Sequence, residues 1–311
     1  MSTPGTLGTG KKLGATVSAG GYGHAREVQP RPTPPALRRH RVLQAFIDHT
    51  LLITVAVIFM VPVVFILATS FMTQKQALTS ALIPHPFTPS NYLDVFKEIP
   101  FLRYTWNTTQ VAVLATLGTV LSCVPVAYAL ARMQWRGRGA AFVVVLATLM
   151  LPFQVTIVPL YIIFVRLGWI GHLTPLILPS FFGDAFSIFL LRQFFMTIPE
   201  ELSDAARVDG ASEWQIMTRV IVPLAKPAIA AVALFSFLYN WNDFFAPLLF
   251  VGNNPKLYTL AIGLAEFKQK YLVQWNLTMA ASVMMMIPII VLFFLAQKVF
   301  VEGITLTGVK G

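Results

Sequence analysis

Long uncharged apolar stretches alternate with short polar ones along this chain. Residues 51–72, 104–131, 139–165 and 271–297 carry no charged side chain, and each exceeds the roughly 20 residues needed to cross a bilayer as a helix. Residues 173–191 are interrupted only by Asp184, and residues 227–251 only by Asp243, so the pattern predicts two further helices with one carboxylate each. The expected fold is all-α and integral to the membrane, with six transmembrane helices. Residues 1–36 are rich in Gly, Pro, Ser and Thr and hold no apolar run, a composition with too little to bury. The chain is therefore expected to divide into a disordered tail at 1–40 and a six-helix domain at 41–311. The first apolar run begins near residue 51, behind Arg38, Arg39 and Arg41, and no small-residue cleavage site follows it, so an uncleaved helix is expected rather than a signal peptide. The connection at 73–103, with Pro84, Pro86 and Pro89, is expected to be ordered but irregular, and 252–270 to be a second loop on the same side. There is no internal repeat and no heptad run.

One polar stretch has more design than a connector needs. Residues 197–226, TIPEELSDAARVDGASEWQIMTRVIVPLAK, carry eight charges between two apolar segments. Thr197 with Glu200 reads as a capping box, and Glu200, Glu201 and Asp204 put negative charge where the dipole of the following helix favours it. Arg207 stands in the last turn, Gly210 suits a left-handed stop, and Ser212 with Gln215 opens a second helix that Pro223 and Pro227 limit. The prediction is a helix, a sharp bend and a second helix. Ala205 and Ala206 let a partner approach the backbone closely, while Asp204 and Arg207, three apart, offer directional contacts on one face. An amphipathic helix lying on lipid is the competing reading, but the acidic first turn opposes it because the cytoplasmic leaflet is negative.

Composition agrees with the pattern. Apolar residues make up 56% of the 311 and charged ones 12%, with a mean hydropathy of +0.69; the charge fraction is about half that of a soluble domain. The net charge of +10 does not point to nucleic acid, because the basic residues are scattered among apolar spans rather than gathered in one stripe. They report orientation instead. Sixteen of the 23 Lys and Arg residues fall before the first span, in the second and fourth connections and at the C-terminus, which predicts both termini on the cytoplasmic side. Cys123 is the single cysteine, so no intrachain disulfide can form. His24, His40, His49, His85 and His172 are dispersed, without metal-ligand spacing. No GxxxxGK[ST] phosphate loop occurs.

Few residues inside the spans carry chemistry. Asn240, Trp241, Asn242 and Asp243 lie roughly 20 to 26 Å above Lys226 at a helical rise of about 1.5 Å per residue. Amides and a carboxylate beside a flat ring suit a sugar; equally, the polar side chains serve as interhelical glue and Trp241 belongs to an interfacial belt. Asp184, expected in mid-helix, must face a cavity or a partner helix. Gln154, between Pro152 and Pro159, stands where interrupted backbone bonds need partners. The run Met284, Met285, Met286 is adaptable packing, and Asn107 and Asn276 open N-x-T triplets too close to the spans for glycosylation. Asp184 and Asp243 are the raw material for an intramembrane aspartyl enzyme, but their expected depths differ, whereas a dyad shares one water. An ion-coupled carrier would leave the bent cytoplasmic segment unexplained.

That segment resembles a known one. DAA at 204–206, Gly210, then Val220, Val222 and Pro223 are similar to the cytoplasmic EAA loop of binding-protein-dependent ABC importers, with Asp, Val and Val where the pattern has Glu, Ile and Leu. From about residue 50 onward the chain resembles the carbohydrate-importer permeases of the maltose type, through SFMTQ at 70–74, NYLDVF at 91–96, YALARMQWRGRG at 128–139, LPFQVTIVPLY at 151–161, IFLLRQFF at 188–195, WND at 241–243 and QKVFVEGITLTGVKG at 297–311. The resemblance implies a type I ABC importer permease fold and a non-catalytic subunit working by alternating access in a bacterial inner membrane. It also implies the partners: a second permease, two ATPase subunits that use ATP and Mg, and an extracytoplasmic solute-binding protein. No cofactor is expected on this chain. Asp204, Ala205, Ala206 and Gly210, with Arg207, become ATPase-docking residues, and residues 308–311 a tail that approaches the ATPases. The substrate stays open between a neutral oligosaccharide, which the lack of basic residues in the spans favours, and a phosphorylated polyol such as glycerol 3-phosphate.

Overall fold

The computed structural model describes residues 35–252, 254–269 and 273–307, and every regular element among them is helical. The chain forms two units, Met1–Ile58 and Phe59–Gly311. Helix α1 (Pro35–Ser70) begins in the first and continues into the second. It starts at Pro35, earlier than expected, because proline's fixed φ and missing N–H suit a first helical turn. The rest of the expected tail, and the C-terminal residues 308–311, lie outside the described residues.

In the second unit the connection after α1 is more regular than its prolines suggest. It holds α2 (Gln74–Ala77) and the amphipathic α3 (Asn91–Glu98). Asn91 is buried and its side-chain amide donates to the backbone carbonyls of Ser70 and Met72, both at 2.8 Å, while the Asn276 amide donates to the Asn91 side-chain Oδ1 at 3.0 Å. Helix α4 (Phe101–Ala131) follows. Asn107, buried in it, donates to the backbone of Lys256 and Tyr258, tying α4 to the loop that precedes the last helices.

The third crossing is broken. Helices α5 (Arg138–Leu149) and α6 (Phe153–Arg166) meet at 96°, because Pro152 has no N–H to continue the ladder and pushes the preceding residue out of the helical region. The fourth is broken too. A short α7 (Thr174–Ile177) and a 3₁₀ turn (Leu178–Phe182) lead to Gly183 at φ +98°, and only then does α8 (Ala185–Thr197) begin. The polar segment supplies α9 (Glu200–Val208), α10 (Glu213–Ile216), a π-helical turn (Met217–Ile221) and α11 (Val222–Leu224). The fifth crossing is α12 (Lys226–Asn242), stopped at Asp243 and resumed by α13 (Phe245–Phe250). The expected loop at 252–270 contains a 3₁₀ turn (Pro255–Leu257) and α14 (Leu260–Gln269), and α15 (Trp275–Thr307) closes the fold.

Four stretches, Phe46–Ser70, Phe101–Ala131, Thr174–Thr197 and Trp275–Gln297, are long and apolar enough to cross a membrane, and two bent pairs, Arg138–Leu149 with Phe153–Arg166 and Glu213–Leu224 with Lys226–Asn242 (80°), bring the count to six when each is taken as one span. Helix α4 is the spine, packed along α8 and α12, with α15 against α12. Ala112, Ala115 and Ala127 on α4 have no exposed surface; such small side chains let helices approach closely where lipid removes the hydrophobic drive. The inner core joins α4 and α8 to the polar segment through Tyr128, Leu130, Leu191, Phe195, Ile216 and Ile221.

Candidate functional site

Two sites emerge around α4, one at its C-terminal end and one midway. The first is an elbow. Helix α9 ends in a Schellman motif: the N–H of Ala211 donates to the Ala206 carbonyl at 2.9 Å, and that of Gly210 to the Arg207 carbonyl at 3.0 Å, a pattern that needs a left-handed residue between. Gly210 supplies it at φ +79°. Ser212 and Gln215 then form the predicted capping box in full. The other expected box does not form. Thr197 is still the last residue of α8, its hydroxyl donating to the Phe194 carbonyl, and Pro199 stands at the N-cap of α9. Asp204 is likewise one turn too far along to meet the dipole; the acidic first turn is Glu200 and Glu201.

Side-chain directions divide the expected docking residues. Ala205 and Gly210 are exposed, whereas Ala206 turns inward against the core. Leu202, Val208 and Trp214 are exposed apolar side chains on the elbow's outer surface, which the polarity of the segment hid. Asp204 and Arg207 do share a face, and they pair with each other at 2.7 Å. Arg207 also donates through Nε to Glu213 at 2.8 Å, across the bend, and the other Glu213 oxygen accepts from the Tyr128 hydroxyl at 2.6 Å. The carboxyl of Glu213 is held below its ordinary range, chiefly by the Arg207 hydrogen bond, and the Arg207 guanidinium is raised by the same contact. Arg132, just past α4, is buried and donates to the Ile198 carbonyl; burial lowers its pKa, opposed first by Glu200. Arg132, Glu200, Asp204, Arg207 and Glu213 line a polar pocket of about 360 Å³. Glu213 and Tyr128 could not be found from the sequence, because they become neighbours only once the chain has bent at Gly210.

The second site is a cavity of about 460 Å³ lined by Thr119 of α4, Asp184, Phe186 and Ser187 at the start of α8, and Phe235, Ser236, Tyr239 and Asn240 of α12. Asp184 is not in mid-helix. It is the N-cap of α8, accepting from the Ser187 N–H at 2.8 Å and hydroxyl at 2.6 Å, so orphan helix donors stabilise the carboxylate in place of water. Asn240 donates to the Ser236 carbonyl at 2.7 Å, and Ser236 to Thr119 at 3.2 Å. The rest of the expected pathway cluster is elsewhere. Trp241 is buried, stacked on Phe237 at 5.3 Å and donating to the Met285 carbonyl, which ties α12 to α15 and leaves no ring face for a sugar. Asn242 bonds back to the Leu238 carbonyl of its own helix. Asp243 caps the next turn, accepting from the N–H groups of Phe245 and Ala246. The cavity holds Asp184 and not Asp243, so it contains no carboxylate dyad. Gln154 is exposed in the first turn of α6. Among the described residues no three His, Cys, Asp or Glu side chains gather to hold a metal.

Residues 123–306 match the family profile described as binding-protein-dependent transport system inner membrane component. The chain is 34% identical over 239 residues to an arabinooligosaccharides transport system permease protein of Halalkalibacterium halodurans, covering 76% of this chain and 85% of the relative. It is 32% identical over 278 residues to an sn-glycerol-3-phosphate transport system permease protein of Brucella abortus, covering 86% and 98%. Among solved structures, a bacterial ABC transporter involved in the import of the acidic polysaccharide alginate superposes with a TM-score of 0.71 at 24% identity, over 84% of this chain and 97% of that one.

Proposed function

Because this chain belongs to the family of binding-protein-dependent transport system inner membrane components, a family of non-catalytic permease subunits, we propose that it forms half of the membrane pathway of a bacterial carbohydrate importer. On this reading it pairs with a second permease in the plasma membrane, with both termini cytoplasmic. Two ATPase subunits beneath bind ATP and Mg, and an extracytoplasmic solute-binding protein delivers the substrate. The elbow docks into the ATPases through Ala205, Gly210 and the exposed Leu202 and Val208, with Asp204 at the rim and Ala206 fixing the helix from behind. Closure of the ATPases around nucleotide pulls the elbow, and the helices reorient to open the cavity outward.

The observation that carries the choice of substrate is the cavity lining. Asp184, Ser187, Ser236, Tyr239 and Asn240 offer donors and acceptors against the apolar walls of Phe186 and Phe235, and no Lys or Arg is among the lining residues. Hydroxyls of a neutral sugar can exchange their water hydrogen bonds for these groups. A phosphate would meet the Asp184 carboxylate with no cation to offset it. The test is the complex of both permeases, the ATPases and the binding protein in proteoliposomes. A neutral oligosaccharide is expected to accelerate ATP hydrolysis and accumulate inside, and Asn240→Ala to reduce uptake about three- to tenfold, the scale of one lost hydrogen bond. Stimulation by sn-glycerol 3-phosphate alone would replace the sugar reading with the polyol one. Uptake by the purified chain without ATPases would overturn both.

A further inference from the structure

The last turn of α4 holds the elbow at both of its ends. Arg132 donates to the carbonyl of Ile198, just ahead of α9. Tyr128, one helical turn earlier on α4, donates to Glu213, just beyond the bend, at 2.6 Å. Glu213 in turn accepts from Arg207, and Arg207 donates to Asp204, so one unbroken run of hydrogen bonds leads from the exposed face of α9 into the buried side of α4. From the other direction Arg192 of α8 donates to the Leu130 carbonyl at 3.1 Å, tying the same turn to the helix whose first residues line the cavity. Tyr128 is 3% exposed. Parting the pair leaves the hydroxyl of a buried side chain to find a new partner, which costs part of a charge-assisted hydrogen bond.

Tyr128 is nine positions along from Thr119, the α4 residue in the cavity wall, about 13 Å along a helix. We propose that Tyr128 and Glu213 are positioning residues that fasten the elbow to α4, so that displacement of α9 is passed to the cavity through α4 as one body. The inference rests on the docking role proposed for the elbow and adds the route by which a pull on it reaches the substrate. Without the fastening, the elbow can swing about Gly210 and its flanking backbone while α4 stays behind. ATP is then hydrolysed without a matching change at the cavity.

Tyr128→Phe removes the single hydroxyl and keeps the packing. In the reconstituted complex, substrate accumulated and ATP hydrolysed are measured together, since a purely structural role would lower both through loss of assembled complex and leave their ratio unchanged. The expected result is a fall of about three- to tenfold in substrate moved per ATP. A wild-type ratio in Tyr128→Phe overturns the proposal. Should that variant not assemble, Glu213→Gln, of equal size, carries the same test: a lowered ratio supports the fastening and an unchanged one overturns it. Failure of the docking reading looks different, because the wild-type chain itself would then leave ATP hydrolysis insensitive to substrate-loaded binding protein.

Discussion

At Gly210 the backbone enters the left-handed region, φ +79°, and nothing lies within 4 Å of where a Cβ would stand. The demand for glycine is therefore conformational and not steric. A non-glycine residue there costs about 1–2 kcal/mol, and a β-branched one more. Gly210→Val is expected to insert and fold, since the transmembrane core is untouched, but to lose most transport-coupled ATP hydrolysis, measured in proteoliposomes beside Gly210→Asn, which tolerates the conformation. Full coupled activity in Gly210→Val would count against the elbow's role. Glu213 gives a pH-dependent prediction. Its folded pKa is depressed, so its contribution is present above the unfolded value and lost as pH falls through the folded one. Arg207, Asp204, Arg132, Glu200 and Tyr128 are the ionisable and charged groups around it. Wild type is thus expected to melt above Glu213→Gln at pH 7, with the difference persisting through pH 5, shrinking below about pH 4.3 and lost only once pH has passed the lower folded value. The Glu213 side chain is 39% exposed, so the margin is modest. Residues whose role is local were legible in the sequence: Gly210 and the Ser212–Gln215 box act within one turn of chain. Thr197 failed as a cap because it still belongs to α8, where its hydroxyl bonds back to the Phe194 carbonyl, and Pro199 stands at the N-cap of α9.

Elements were legible in number and not in continuity. Hydropathy reports length and polarity, and both are right for six crossings. It cannot tell a tolerated interruption from a break. Pro152, Gly183 with Asp184, and Asp243 each look like one awkward residue in an apolar run, yet each ends a helix and begins another. The carboxylates remain in the spans because they cap the new helix ends they create, which makes the break and the charge one feature. The 3₁₀ turn before Gly183 presses against α4: a Cβ on Gly118 would lie 2.5 Å from the Phe181 ring, whereas one on Gly139 would meet nothing within 4 Å. Gly118→Ala is accordingly expected to destabilise the fold by about 1–3 kcal/mol through overpacking. Gly139→Ala, in the first turn of α5, is expected to be neutral or slightly stabilising. Thermal unfolding of the two in the same detergent tests the pairing, and equal melting temperatures would mean that the turn does not bear on α4.

Among the described residues, buried side chains cluster where α4 meets α8, α12, the elbow and the start of α15, while α5, α6 and the later part of α15 present exposed apolar side chains such as Val143, Val144, Val155, Val158, Phe293 and Leu295. That inversion of a soluble protein's pattern is what lipid and a partner permease would cover. The orientation we propose, with both termini cytoplasmic, rests on the basic residues, which favour the side bearing Arg132, Arg136, Arg138 and Arg207. The only native cysteine, Cys123, has no exposed surface, so single cysteines can report topology against a silent background. His85, between α2 and α3, and Glu201, on the elbow, are both exposed and belong to opposite sides in this arrangement. A membrane-impermeant maleimide is expected to label His85→Cys in intact spheroplasts and Glu201→Cys only in inside-out vesicles. The reverse pattern would place the elbow outside the cell, away from any cytoplasmic ATPase, and the coupling route through Glu213, Tyr128 and α4 would have nothing to pull on it.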